Sequence, residues 1–217
     1  MVRFQGLRSS IRLYGLVTVT GIHDQLALDP VQISCVGDPD APTVRVFISR
    51  LDAEIYLRSS HLRHYRVVPL RLFDPSQLLK HADGWLRLNI CLGFAAQDDY
   101  LLSTDQQEMI PVGLTAWTRP VLDDQGYYLQ WSDTELPEYL LSAYKSVGVP
   151  DYNRQLNELD DWAPAAMERT VTDALEMSLP VKAPGSMASQ LALFDVEDAC
   201  WRFGLFQIDG VGTTCNT

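Results

Sequence analysis

The stretch Thr43-Val44-Arg45-Val46-Phe47-Ile48-Ser49-Arg50-Leu51-Asp52 decides the fold, because two kinds of spacing meet within it. Its first six residues alternate with the two-residue period of a β-strand. Ser49 and Asp52 then form the S-x-x-D pattern of a helix start. Apolar residues continue at near-helical spacing through Leu51, Ile55 and Leu62. Residues 65–70 return to strand character, so the stretch 43–70 predicts a strand, a helix and a strand in turn.

Further elements follow on the C-terminal side of this unit. Asp74-Pro75-Ser76-Gln77 predicts a second helix start, with a hydrogen-bond acceptor at the N-cap and a proline where its missing N–H is harmless. Residues 85–92 alternate as another strand. Two hairpins, over 99–114 and 118–131, and a final one over 190–208 are predicted from short strands that flank polar turns.

The apolar spacing becomes helical from residue 135 to residue 179, where Pro150 and Pro164 divide the segment. Strands followed by a block of helices are typical of an α+β protein. We therefore predict an α+β fold with a mixed or mainly antiparallel sheet and a helical segment at about 135–179. We expect residues 1–180 to form the main domain, and residues 181–217 to form a linker and a C-terminal hairpin packed on the same domain.

Charge is distributed unevenly along the 217 residues, whose formal net charge is −11. Residues 1–90 hold 11 basic and 8 acidic residues (net +3), whereas residues 91–217 hold 6 and 20 (net −14). A strongly negative surface repels nucleic-acid phosphates and anionic lipids, and it accelerates encounter with a basic protein. We therefore expect a basic protein as the partner, with no nucleic acid and no membrane.

The cysteines and the apolar runs bear on localisation. Four cysteines lie far apart, which favours free thiols in a reducing compartment. No run approaches the ~20 apolar residues that cross a bilayer. Arg3, Arg8 and Arg12 precede the apolar residues 13–22 as in some leader segments, but no small-residue cleavage site follows, and we interpret residues 11–20 as the first strand. These features predict a cytoplasmic protein.

Few residues suggest catalysis. Phosphate-binding glycine loops and the G-x-S-x-G and H-E-x-x-H motifs are absent from the sequence, and Ser142–Lys145 matches S-x-x-K without its companion motifs. His61 and His64, with His81 and Asp83, are candidate metal ligands, but a basic surface patch near a helix C-terminus explains them without any metal and is the preferred interpretation. Adjacent His23 and Asp24 are a poor catalytic pair, and buried, inert thiols explain the cysteines. We predict no catalytic residues, no metal and no cofactor.

Three acidic doublets, two of them near aromatic residues, are the candidate partner-binding residues. Carboxylates on turns serve solubility, but around an aromatic anchor they also form a surface complementary to arginine and lysine. The candidates are Asp98, Asp99, Asp123, Asp124, Tyr127, Trp131, Asp160, Asp161 and Trp162.

The strand-helix-strand unit at residues 43–70, from Val46-Phe47-Ile48-Ser49 to Tyr65-Arg66-Val67-Val68-Pro69-Leu70, resembles a unit of small bacterial immunity proteins. The resemblance implies a role in protecting a cell from secreted polymorphic toxins. It covers 28 of the 217 residues, and no functional residue is transferred from it.

These observations together favour a non-catalytic protein-binding module, specifically a cytoplasmic immunity protein that blocks a cognate, basic, secreted toxin. Steric blockage requires no chemistry. An enzyme whose active site assembles from distant residues, with His61, His64 and Cys91 as participants, is one alternative. An adaptor or chaperone for a secretion substrate is the other, and it would expose a contiguous apolar patch.

Overall fold

The computed structural model describes residues 6–18, 33–37, 43–129, 135–149, 151–182 and 188–205. Strands and helices share this part of the chain, and strand pairing is mainly antiparallel, so the predicted α+β class is confirmed. The described strands are β1 Leu7–Ser9, β2 Tyr14–Thr18, β3 Cys35–Val36, β4 Thr43–Phe47, β5 Tyr65–Pro69, β6 Leu86–Gln97, β7 Tyr100–Ser103, β8 Pro111–Thr118, β9 Val121–Asp123, β10 Gly126–Leu129, β11 Val181–Lys182, β12 Gln190–Asp195 and β13 Cys200–Leu205.

Helices interrupt the described strands at three places in the chain. The described α-helices are α1 Arg50–Ser59, α2 Ser76–His81, α3 Glu135–Ser146, α4 Tyr152–Asp160 and α5 Pro164–Met177, and a 3-10 turn covers Leu70–Leu72. The Ser49 hydroxyl accepts a hydrogen bond from the Asp52 amide at 3.1 Å, which is the predicted N-cap of α1. Helix α3 ends at Ser146 and α4 begins at Tyr152, which agrees with the predicted break between them, and Pro164 begins α5, as the sequence predicts.

A ten-stranded sheet is organised around the long strand β6. Strand β6 pairs in parallel with β4 and antiparallel with β7, β8 and β12. Beyond β4 follow β2 and then β5, so β2 lies between the two strands of the 43–70 unit. A second, three-stranded sheet has the order β1-β10-β9.

Both faces of β6 are buried, which produces a layered architecture. Leu88, Ile90 and Leu92 face one core, which α3 and the three-stranded sheet complete. Cys91 and Phe94 face the other core, together with α1, α5 and the end of α4. Residues two apart serve the same layer from Leu88 to Leu92, as the strand period requires, and the irregularity between Cys91 and Gly93 shifts the alternation so that Phe94 faces the other core.

The C-terminal hairpin β12–β13 belongs to the main sheet, because Leu191 and Ala192 pair with Ala95 and Phe94 of β6. Trp201 on β13 donates from its indole N–H to the carbonyl oxygen of Ala174 on α5 at 2.9 Å. The hairpin is thus fixed both to the sheet and to the helical layer.

Candidate functional site

The acidic doublet Asp98–Asp99 forms the turn between β6 and β7. Both residues are exposed and have positive φ angles, 52° and 62°. A two-residue hairpin turn of this type requires positive φ at both positions, and aspartate tolerates it better than most residues. The sequence therefore places two carboxylates at the tip of a tight turn.

Gln190, the first residue of β12, holds this turn in place. Its side-chain oxygen accepts from the Asp99 amide at 2.9 Å, and its side-chain nitrogen donates to the Asp99 carboxylate at 2.8 Å. Asp98 forms no ion pair or hydrogen bond with another described side chain. The two carboxylates therefore extend from a backbone that is already ordered.

Tyr100, the first residue of β7, directly follows the turn and is exposed. In the strand register, Leu205 pairs with Gln190, Gln190 with Ala96, and Ala96 with Leu101, so the ends of four strands meet here. We call the turn and its exposed tyrosine the acidic turn surface, and it consists of Asp98, Asp99 and Tyr100. Tyr100 is 52% exposed and Leu205 is 71% exposed.

The doublet Asp123–Asp124 lies at the turn between β9 and β10, beside strand β1. Arg8 on β1 donates to both Asp123 carboxylate oxygens at 2.5 Å and to Gln125 at 2.9 Å. The hydrogen bond from the Gln125 amide, followed by the contact with Arg8, lowers the pKa of Asp123. Tyr127 is half-buried against the first core, and Asp124 is exposed.

The third doublet, Asp160–Asp161, ends α4. Asp160 forms an ion pair with Arg12, and the carbonyl oxygens of Asp160 and Trp162 accept from Arg50 at 3.5 and 3.4 Å. The Trp162 side chain packs against the second core, whereas Asp161 is exposed. Much of this doublet's hydrogen-bonding capacity is therefore used within the protein.

Ion pairs connect the basic N-terminal part of the chain to the acidic C-terminal part. Arg8–Asp123, Arg12–Asp160 and Arg58–Glu168 all join residues more than 100 positions apart. The structure thus brings two doublets to the neighbourhood of β1. The remaining doublet, Asp98–Asp99, lies apart from them on the turn between β6 and β7. Trp131, His23, Asp24 and Cys215 lie outside the described residues.

A cavity of about 560 Å³ opens beside β1. We call it the arginine cavity, because its lining includes Arg8, Arg12, Arg50 and Arg71 together with Tyr128, Asp160 and Asp161. A second cavity of about 410 Å³ shares Ile11, Arg12 and Asp160 with it, so the Arg12–Asp160 pair lies on the boundary of both. This site was not predicted from the sequence, although Arg8, which lies ahead of the first predicted strand, is among the arginines that line it.

A buried polar cluster lies next to the second cavity. Asp52 is 1% exposed and accepts a hydrogen bond from the Tyr152 hydroxyl at 3.3 Å, while its other oxygen has no described partner. Burial raises the pKa of Asp52 to about 7, against the opposing effect of the Tyr152 hydrogen bond. Tyr144 lines the second cavity and packs its ring 4.2 Å from that of Tyr152.

The residues considered for catalysis do not converge in the described part of the chain. Cys91 is fully buried on β6, and burial raises the pKa of its thiol to about 12, which opposes formation of a nucleophilic thiolate. His61 and His64 are exposed beyond the end of α1, and Ser142 and Lys145 are exposed on α3. Among the described residues, no three side chains of histidine, cysteine, aspartate or glutamate are grouped as metal ligands.

The described helices include none that is long and apolar enough to cross a bilayer. No protein-family model, curated protein or solved structure matches this chain.

Proposed function

We propose that this chain is a non-catalytic protein-binding module that docks on a basic protein, and that its specific role is that of a cytoplasmic immunity protein which blocks a cognate toxin. The acidic turn surface carries the proposal. It presents two carboxylates and an exposed tyrosine on a turn that Gln190 already holds in one conformation.

A surface of this kind suits rapid recognition followed by slow release. The carboxylates attract a basic partner over a distance of about one Debye length, roughly 8 Å at physiological ionic strength. Tyr100 then supplies area that loses its water on docking. Because the turn is ordered before binding, little conformational entropy is lost at its centre.

Removing the two charges is expected to slow association. The double substitution Asp98→Asn, Asp99→Asn introduces side chains that tolerate positive φ, and the new amide oxygen at position 99 can still accept from Gln190. We expect the association rate constant to fall about threefold to tenfold at low ionic strength and the difference to disappear in high salt. Stopped-flow or surface plasmon resonance kinetics measure both effects.

Asp83→Asn is the matched control, because Asp83 is also exposed and has a φ of 49°, but lies on the turn after α2. An equal decrease in both proteins would show that overall charge, and not the acidic turn surface, guides the encounter.

Truncating the aromatic anchor is expected to shorten the lifetime of the complex. Tyr100→Ala removes a large side chain from the centre of the proposed surface, and we expect the dissociation rate constant to rise by about 30-fold, corresponding to ~2 kcal/mol. Trp117→Ala is the control, since Trp117 is 57% exposed but contacts Arg87 elsewhere on the sheet. Unchanged dissociation of Tyr100→Ala would contradict a central role for this surface.

The immunity role itself is tested with the product of the adjacent gene. Co-expression should rescue cells from its toxicity, and the two proteins should co-purify in a defined ratio. Absence of both rescue and complex refutes the proposal, whereas complex formation without protection retains the binding module and removes the immunity role.

An enzyme with a non-contiguous active site is the second candidate, and the arginine cavity favours it. Ionisable side chains from β1, α1, α4 and β10 converge there. This candidate predicts that cavity substitutions, and not substitutions on the acidic turn surface, abolish the biological activity.

A further inference from the structure

The arginine cavity holds more positive charge than its own carboxylates neutralise. Asp123 pairs with Arg8, and Asp160 pairs with Arg12. Arg50 and Arg71 line the same cavity and form no ion pair with any described residue, although the charge of Arg50 acts on Glu54 in the next turn of α1. Asp161 lines it too, but lies in no ion pair with a described cation. Two guanidinium groups therefore remain without an ion-pair partner in the described part of the chain.

Their remaining hydrogen-bonding capacity is large. Arg50 donates to two carbonyl oxygens, at 3.4 and 3.5 Å, which are long contacts for a group with five N–H donors. The Nε atom of Arg8 is buried and has no described acceptor. An unsatisfied buried donor is unfavourable, so an acceptor supplied from outside the chain would stabilise this site.

The other residues that line the cavity indicate what kind of molecule would fit it. Ile11, Leu13 and Leu70 supply apolar surface, and the Tyr128 ring lies 5.8 Å from the Arg8 guanidinium. A volume of about 560 Å³ is within the usual range of small-molecule sites, roughly 300–1,000 Å³. There is room for an organic group of ring size beside an oxyanion.

We propose that the arginine cavity binds a small molecule with a phosphate monoester attached to an apolar or aromatic body. The phosphate dianion can pair with both guanidinium groups that have no ion-pair partner, and its three terminal oxygens can accept from their forked N–H groups. This site shares no residue with the acidic turn surface. The ligand-binding proposal is therefore independent of the proposed protein-binding function.

Isothermal titration calorimetry at pH 7.5 with four probes tests the ligand class. Phenyl phosphate should bind in a 1:1 ratio, inorganic phosphate more weakly, and benzoate more weakly still, because a carboxylate has one charge. Phenol should not bind measurably. Absence of saturable binding by phenyl phosphate, or equal affinity for benzoate or phenol, overturns the proposal.

Substitutions locate the binding. Arg71→Gln should weaken phenyl phosphate binding by about tenfold to 100-fold, the effect of losing a charge-assisted hydrogen bond. Arg71 is exposed and lies in no described ion pair, so the thermal unfolding midpoint should be unchanged. Arg66→Gln is the matched control, because Arg66 is an exposed arginine on the neighbouring strand β5 that does not line the cavity. Equal losses in the two variants, or no loss in Arg71→Gln, contradict binding in this cavity.

Discussion

Gly204→Ala is expected to destabilise the protein by about 3 kcal/mol, near the upper end of what an added methyl group does in a packed interior. Gly204 on β13 is buried where the strand crosses the end of α3. A Cβ atom there would collide with the carbonyl oxygen of Ser146, and it would lie 2.6 Å from that carbonyl carbon and 2.7 Å from the Val147 Cα. All three are backbone atoms, so no side-chain rotation relieves the clash.

Urea unfolding followed by circular dichroism measures this effect, and Gly148→Ala is the control. At Gly148 nothing lies within 4 Å of the added Cβ, but φ is +81°, so the loss should be only about 1 kcal/mol from backbone strain. Equal destabilisation by both substitutions would show that close approach of β13 to α3 is not what requires glycine at position 204.

Helix breaks and hairpin turns were predicted correctly from the sequence where interactions between neighbouring residues determine them. The helical segment is divided at the two predicted places, because α3 ends at Ser146 before α4 begins at Tyr152, and Pro164 is the first residue of α5, where its missing N–H leaves no helical hydrogen bond unmade. The predicted final hairpin appears as β12 and β13, joined at residues 196–199. The acidic turn between β9 and β10 also joins two paired strands, as predicted.

Long-range pairing was not predictable from the same signals. Strand β2 lies between β4 and β5, and β1 pairs in parallel with β10, more than 100 residues away. Neither pairing leaves a local pattern, since register depends on which faces become buried together. The arginine cavity depends on these pairings, which is why its residues could not be grouped from the sequence.

We propose two roles for the uneven charge. The sequence predicts that acidic residues from position 91 onward attract a basic partner, and Asp98 and Asp99 form no ion pair with a described residue. Asp123 and Asp160, however, pair with arginines from the first 12 residues. Part of the predicted docking charge therefore joins distant segments of the chain, and the proposed partner-binding surface is smaller than the net charge alone suggests.

Asp52 is expected to make the protein less stable as the pH rises. Its folded pKa of about 7 lies above the ordinary value of 3.8, so the folded protein binds a proton that the unfolded chain releases. The stabilising contribution is complete below about pH 4 and is lost as the pH rises through 7. A shift of this size corresponds to a change on the order of 4 kcal/mol in the free energy of unfolding.

Asp52→Asn removes this titration while retaining an oxygen that accepts from Tyr152. The groups facing Asp52 do not replace it, because burial raises the pKa of Tyr144, Tyr152 and Cys91 and keeps all three neutral through pH 8. Relative to wild type, Asp52→Asn should therefore gain stability between pH 4 and pH 8, by up to ~4 kcal/mol.

Urea unfolding at pH 4, 6 and 8 measures the difference between the two proteins. Asp124→Asn controls for the loss of one negative charge, because Asp124 is exposed on the β9–β10 turn, and its effect should stay within about 0.5 kcal/mol. A constant difference between Asp52→Asn and wild type across this range would mean that Asp52 is already ionised in the folded protein at pH 4. The burial of its carboxyl group among Ser49, Tyr144 and Tyr152 would then have to be compensated by solvent that reaches the cluster through the second cavity.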